Sequence, residues 1–225
     1  VASKRRGIFD EIAREYDLWY EGNAIFLNEL AALKLAVSSH CHGHDNTCHG
    51  HGLSLEIGVG SGRFAGALSI GFGMDPAIEP LKIARSRNIC VVQACAEAIP
   101  FKPRTFDSVF FITSLCFIDG HVLAMSEAAR VIKNGGRLVV GFIPLESQWG
   151  VFYQKKKEEG HKVYRYARFF RSEELISLAT EEGFLLEGAV STLFQPPDIK
   201  KYISEIPEDG IIKKGGFQVL VFKRR

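Results

Sequence analysis

The sequence predicts an α/β protein built on a mostly parallel sheet, and three observations point there. From Leu53 onward, short apolar runs alternate with amphipathic stretches: LSLEIGV, GFGMD, ICVVQA, SVFFIT and RLVVGFI. Five such runs at helix-length intervals are the pattern of strands joined by crossover helices. The first run leads straight into a glycine turn, EIGVGSG, at the point where a strand gives way to a helix. Finally, 225 residues that are 46% hydrophobic and 24% charged can bury a substantial core, the ordinary balance of a soluble globular chain.

The elements follow in order. Ile8 and Ile12, then Ile25, Phe26, Leu30, Leu33 and Val37, recur at helical spacing with a break at Glu21, Gly22 and Asn23, so two helices are expected over residues 8–37. A loop rich in His and Cys precedes the first strand. The glycine turn opens a helix over 63–68. Residues 76–87 form a helix with Pro76 in its first turn, and 120–133 form another, stopped in the left-handed region by Asn134, Gly135 and Gly136. Ser172 caps a helix that runs to Glu182 with acids in its first turn, and Gly183 ends it. Two further strands, about 184–192 and 217–222, lie on either side of a proline-bearing excursion. No repeat or linker divides the chain, so 1–225 is expected to be one domain.

Composition excludes several partners. No apolar run reaches the roughly 18 residues that span a bilayer, and VASKRRGIFDEIAREYD passes from a basic cluster directly into mixed charge. The expectation is a cytoplasmic protein with no membrane partner. Five cysteines argue against a disulfide framework, and Cys90, Cys95 and Cys116 lie in or beside apolar runs, as reduced cysteines do. A net charge of +2, with Lys155 to Lys157 followed at once by Glu158 and Glu159, gives no reason to expect nucleic acid.

Gly58, Gly60 and Gly62 stand directly after a strand and before a helix, where backbone can pass close to a nucleotide-like ligand. Arg63 stands where a pyrophosphate loop wants its third glycine, which speaks against a nicotinamide dehydrogenase. Glu56, two residues before the first glycine, would repel a diphosphate and attract a cationic amino group. Asp75 ends the next strand at the spacing where an acid accepts hydrogen bonds from ribose hydroxyls. Glycine turn and ribose acid together indicate an adenosine ligand.

Residues from about 8 to 192 resemble a class I S-adenosylmethionine-dependent methyltransferase of the UbiE-like, type 11 group. The family's E/D-x-G-x-G-x-G is matched by Glu56 to Gly62, and its acidic second strand end by Met74, Asp75 and Pro76. QACAEAIPF resembles the motif that meets the adenine edge, with Ala96, Glu97, Pro100 and Phe101 matching and Cys95 standing where the family most often has aspartate. FDSVFFITSLCFID resembles the fourth strand and its loop, and EAARVIKNGGRLVVGFI the helix-turn-strand after it. FDEIAREYDLWY resembles the segment that folds over the cofactor, with Tyr16 near the methionine end.

The resemblance implies a Rossmann-like three-layer sandwich whose sheet is seven-stranded and mostly parallel with an antiparallel C-terminal strand. It divides the chain into N-terminal helices and His/Cys loop (1–52), cofactor-binding core (53–143), acceptor-side insertion (144–171) and C-terminal helix and strands (172–225). The implied cofactor-binding set is Tyr16, Glu56, Gly58, Gly60, Gly62, Asp75, Pro76, Cys95, Ala96, Glu97 and Thr113. The implied reaction moves a methyl group from S-adenosylmethionine to a small-molecule acceptor by in-line displacement. The acceptor side comprises the N-terminal helices, Thr113 to Asp119 and the aromatic, basic stretch from Pro144 to Arg171. Tyr16, Trp19 and Tyr20 read equally as core aromatics, Cys116 as a small buried hydrophobe, and Glu97 as surface. No catalytic base is identified; His121 and His161 lie outside any motif.

One motif stands apart. Cys41 with His44 and Cys48 with His51 repeat C-x-x-H, two thiolates and two imidazoles within eleven residues, enough for a tetrahedral zinc or other transition-metal site. The same stretch also reads as a polar, glycine-punctuated connector that binds metal only opportunistically. It motivates the alternative of a metal-binding or metal-responsive protein on a methyltransferase fold.

Overall fold

Apolar runs with a period of two become strands buried on both faces, and the sheet they form organises everything else. The structure, a computed structural model, describes residues 2–40 and 52–225. Helices α1 (Ala2–Trp19) and α2 (Ala24–His40) precede β1 (Ser54–Ile57), α3 (Arg63–Ala67), β2 (Phe72–Asp75), α4 (Ile78–Ser86) and β3 (Cys90–Gln93). There follow β4 (Phe106–Ile112), α5 (His121–Val131), β5 (Ile132–Phe142), α6 (Gln148–Glu158), α7 (Ser172–Glu181), β6 (Phe184–Thr192), β7 (Glu208–Asp209) and β8 (Phe217–Arg224).

The sheet order is β3-β2-β1-β4-β5-β8-β6-β7. Strands β1 to β5 pair in parallel, and β8 inserts antiparallel between β5 and β6. The expected Rossmann-like α/β architecture is therefore present, with eight strands instead of seven. The addition is the two-residue β7, paired to Val190 and Ser191 of β6. Helices cover both faces. Met125 and Ala128 of α5 and Leu175 of α7 pack against Val109, Phe111, Leu138 and Phe222. On the opposite face Leu33 and Ala36 of α2, Leu81 of α4 and Trp149 of α6 pack against Phe110, Val139, Val219 and Val221. Adjacent residues of one strand thus serve opposite cores, as the pleat dictates. No helix among the described residues is long and apolar enough to cross a membrane.

Helix boundaries differ from expectation at three places. Helix α4 starts at Ile78, so Pro76 lies before the cap and not in the first turn. The cap of α7 is Arg171; the Ser172 hydroxyl instead engages the carboxylate of Glu146 and the side chain of Gln218, tying the helix to β8. Most clearly, α5 stops at Val131, and Asn134-Gly135-Gly136 lies within β5 as a bulge instead of ending the helix. Phe106 pairs with Ile132 but Ser108 with Arg137, so the intervening residues loop out of register. Burial of Ile132 in the core and the Lys133 Nζ contact with Asp107, at 2.8 and 2.9 Å, favour early strand entry over one more helical turn.

The two bulge glycines differ in kind. Gly135 has φ 76° with open space where a Cβ would stand, whereas a Cβ on Gly136 would lie 2.8 Å from the Asp107 carbonyl oxygen and the Ile132 side chain. Gly135→Ala is expected to cost about 1 kcal/mol, the left-handed penalty alone. Gly136→Ala is expected to cost more, because backbone must move; urea denaturation of the two variants side by side checks the order.

Candidate active site

At the carboxyl end of β1 the chain turns three times through left-handed backbone, with φ of 74° at Gly58, 52° at Gly60 and 78° at Gly62. The amides of Gly58 and Val59 both donate to the Met74 carbonyl, at 2.8 and 3.0 Å, so the turn is fastened to the end of β2. The glycines have separate physical reasons. A Cβ on Gly58 would collide with Ser114, and one on Gly62 with Ile89 and Ala84, whereas one on Gly60 meets no protein atom. Gly60 therefore leaves bare backbone facing open space.

That space is a cleft of about 300 Å³. Every residue of the expected cofactor set lines it except Gly62, which packs underneath against α4. Asp75 lies across from the turn: one carboxylate oxygen accepts the Gly60 amide at 3.1 Å and the other the Ala77 amide at 2.8 Å. Burial nevertheless lifts its pKa to about 6 against the pull of those amides. Glu56 is 2% exposed, and its Oε2 has no hydrogen-bond partner. Burial, reinforced by the nearby Asp75 charge, pushes its carboxyl well above the ordinary range. Along the rim, Cys95 is exposed, Ala96 is buried, and Glu97 accepts the Gly120 amide at 3.1 Å, fixing the loop that leads into α5. Thr113 has φ 52° and donates its amide to Gly141 at 2.8 Å.

Helix α1 forms the remaining wall through Phe9, Ile12, Ala13 and Tyr16, with Tyr20 from the turn that follows it. Asp17 binds it to the glycine turn. Its carboxylate accepts from Arg63 Nε at 2.8 Å and from Arg87 at 2.9 Å, while Arg87 also donates to the Ser61 carbonyl at 2.6 Å. Burial acts to raise the Asp17 pKa, but the hydrogen bonds from Arg63 and Arg87 outweigh it and hold the value near about 2.

A second, smaller cavity of about 60 Å³ abuts the cleft, and the two share Tyr16, Tyr20, Thr113 and Phe117 as walls. Tyr20 donates its hydroxyl proton to the Tyr16 oxygen at 2.9 Å, and burial raises the Tyr16 pKa to about 12. Glu29, Cys116, Tyr153 and Tyr164 face the same small space. Cys116 is thus half-buried beside a cavity and not deep in the core, and the 144–171 stretch supplies walls as well as core packing. His121 meets Phe170 edge-on next to the Arg168 guanidinium, and His161 contacts Tyr164; neither lines either of these two cavities. Cys41, His44, Cys48 and His51 lie outside the described residues, and among the described residues no His, Cys, Asp and Glu cluster suits a metal.

This architecture has close counterparts. A crystal structure of an S-adenosylmethionine-dependent methyltransferase from Thermotoga maritima, described as a possible histamine N-methyltransferase, superimposes with a TM-score of 0.85 at 35% identity, covering 98% of this chain and 100% of that one. The chain belongs to the S-adenosylmethionine-dependent methyltransferases. Residues 55–140 of this methyltransferase match the methyltransferase domain family. An uncharacterized protein of Methanocaldococcus jannaschii is 37% identical over 192 residues, 85% of this chain and 87% of that protein. One from Mycobacterium tuberculosis is 36% identical over 208 residues, 91% of this chain and 70% of that protein.

Sequence reading missed Asp17, Arg87 and Glu29 in this methyltransferase. Arg63 and Asp17 are 46 positions apart, and no local pattern announces their pairing. Glu29 did leave a signal: it stands four residues from both Ile25 and Leu33, on the apolar stripe of α2.

The Asp17 node yields a pH-dependent prediction. Its folded pKa lies below the ordinary value of 3.8, so its contribution is complete above that value and is lost as pH falls through the folded pKa near 2. Asp17→Ala is expected to cost about 2 kcal/mol at pH 7 and much less near pH 2, where the native carboxylate is itself being protonated. Urea melts at the two pH values test this; an equal loss at both would show that the node acts through packing, not charge.

Proposed function

We propose that this methyltransferase transfers the methyl group of S-adenosylmethionine to a small-molecule acceptor by in-line displacement, with the cofactor in the larger cavity and the acceptor in the smaller one. The single observation that carries the assignment of the cleft is the unpartnered Glu56 oxygen, buried beside the glycine turn. The Ala65 amide serves the carboxyl, but a buried carboxylate with its other oxygen unpartnered is still costly, and a cationic amino group such as that of the cofactor's methionine portion would relieve it.

The other roles follow from chemistry and position. The bare backbone at Gly60 leaves room for close approach, and Asp75 retains lone pairs for ribose hydroxyls while its amide bonds hold it still. Ala96, Glu97 and Cys95 form the rim for the adenine edge, although a thiol is a weaker acceptor than the carboxylate usual there. Pro76 and the Gly58 turn shape the floor, and Tyr16 and Thr113 stand where the two cavities meet.

When bound, the sulfonium supplies a methyl group already activated for transfer, so the protein has to align the partners and exclude water. The aromatic walls shared by the two cavities serve both ends. The Thermotoga relative is described as a possible histamine N-methyltransferase, and its 35% identity over nearly the whole chain supports a small-molecule acceptor here. The dehydrogenase alternative is disfavoured by Arg63, which is committed to Asp17 and Glu21. The metal-responsive alternative rests on Cys41, His44, Cys48 and His51 alone; no cluster among the described residues adds to that ligand set.

Thermal shift in the presence of S-adenosylhomocysteine at about 100 times its dissociation constant should add about 2.7 kcal/mol of stability, and NAD should add none. Stabilisation by NAD alone would overturn the proposal. Glu56→Gln should abolish most of the S-adenosylhomocysteine shift while raising the melting temperature of the ligand-free protein, since a buried ionisable group with one oxygen unpartnered is replaced by a neutral one. Asp75→Asn should weaken the ligand by about 1 to 3 kcal/mol in a calorimetric titration. Unchanged affinity there would reject the ribose role.

A further inference from the structure

The smaller cavity contains one group that methyl transfer in general does not explain. Glu29 projects from α2 with only 5% of its surface exposed, and its carboxyl faces the cavity. Among the described residues no hydrogen bond reaches either of its oxygens, and no Arg or Lys lines the space. The other titratable groups facing it are Tyr16 from α1, Tyr20 from the turn after α1, Tyr153 from α6, Tyr164 from the turn after α6, and Cys116 from the turn after β4. None of these carries a positive charge. Apart from Thr113 and Trp19 the remaining walls are apolar, including Phe142, Ile143 and Phe169.

A carboxyl in such a place is expensive when ionised and serves no packing need that glutamine or leucine would not meet better. The setting selects among ligands. An anion is excluded by the lack of cationic side chains, and a divalent metal by the lack of further oxygen ligands. A neutral apolar acceptor would gain nothing from Glu29. A cation with an apolar body fits every wall: its charge pairs with the carboxylate in a medium that strengthens the pairing, and the surrounding aromatic rings favour it further.

We propose that Glu29 anchors the acceptor and that the acceptor is a compact organic amine, received as its ammonium ion in the cavity walled by Tyr16, Tyr20, Tyr153 and Tyr164; the ammonium proton passes to the Glu29 carboxylate, and the nitrogen lone pair so freed attacks the methyl group as S-adenosylhomocysteine leaves. This rests on the reading of the smaller cavity as the acceptor site. The volume of about 60 Å³ holds roughly four waters, so the amine is small or enters with some outward movement of the walls. Burial raises the Glu29 pKa to about 8, so near neutral pH the empty site holds a proton that pairing with an ammonium would expel.

The probes are propylamine and its neutral isostere 1-propanol, four heavy atoms each, titrated calorimetrically into the protein alone and into the protein saturated with S-adenosylhomocysteine. Failure of S-adenosylhomocysteine to bind would count against the cofactor assignment and leaves the amine comparison readable on the free protein. Propylamine is expected to bind at least tenfold more tightly than 1-propanol, and Glu29→Gln to erase that preference while 1-propanol binding stays as it was. A second measurement needs no variant. Repeating the titration in buffers of different ionisation enthalpy should show close to one proton released per propylamine at pH 7, falling to a small fraction at pH 9, where the carboxyl is already ionised and the alkylammonium is still protonated. Equal binding of the two probes, a preference that survives Glu29→Gln, or amine binding without proton release at pH 7 would each overturn the proposal.

Discussion

The placement of the Glu56 carboxyl is the constraint around which the site is built. Its backbone is paired on both sides, to Gly73 of β2 and to Phe110 of β4, so the side chain cannot withdraw from the interior without breaking the sheet. Two residues later the chain must leave the strand, and the amides of Gly58 and Val59 turn back onto Met74, one residue before Asp75. The Glu56 and Asp75 carboxyls are therefore both fixed by the pairing of β1 with β2. This is the general advantage of a parallel sheet: strand ends lie side by side, and side chains distant in sequence meet there without long loops to position them.

Helix α1 converts that edge into a cleft. It comes from a part of the chain that makes no strand, and the Asp17 contacts to Arg63 and Arg87 fix it where its aromatic face closes the wall. Arg63 has a double consequence here. At the position where a pyrophosphate loop would need glycine, its side chain instead reaches out to α1 and leaves the turn unsuited to a diphosphate. The residue that takes a glycine's place in the turn thus also holds the wall of the cleft.

Much of this was legible in the sequence, and the divisions are physical. The strands and the glycine turn were readable because they depend on local alternation and on backbone conformations open chiefly to glycine. Glu56 and Asp75 follow from spacing along that pattern, and the Cys95–Glu97 loop from its resemblance to a family motif. The bulge in β5 was misread because Asn-Gly-Gly after a helical run has the same local chemistry as a helix stop; burial of Ile132 and the Lys133–Asp107 pair decide otherwise, and both are tertiary. Gly62 was assigned to the ligand along with its neighbours, although its left-handed conformation serves packing against Ile89 and Ala84. The smaller cavity drew on α1, α2, α6 and the turn after β4, elements whose meeting no single stretch records. The C-x-x-H pair at Cys41 to His51 remains a sequence observation alone.

The cavities also account for an energetic asymmetry. Glu29, Glu56 and Asp75 all have raised pKa values, whereas Asp17 has a lowered one. For the first three, the folded state keeps protons that the unfolded chain gives up as pH rises through the ordinary carboxylate range, so each lowers stability progressively toward neutral pH. Asp17 acts in the opposite sense and supplies stability above the same range. One carboxylate is satisfied by two guanidinium groups and holds a wall in place; the others lie in cavities, with Asp75 only partly satisfied by amides and Glu29 and Glu56 facing open space. A sequence selected for stability alone would replace Glu29 and Glu56 with neutral or apolar residues. Their retention in spite of the cost is understandable if cations neutralise them when the cavities fill, which makes the filled state more stable than the empty one and gives the ligands, not the protein alone, the final share of the core's electrostatic balance.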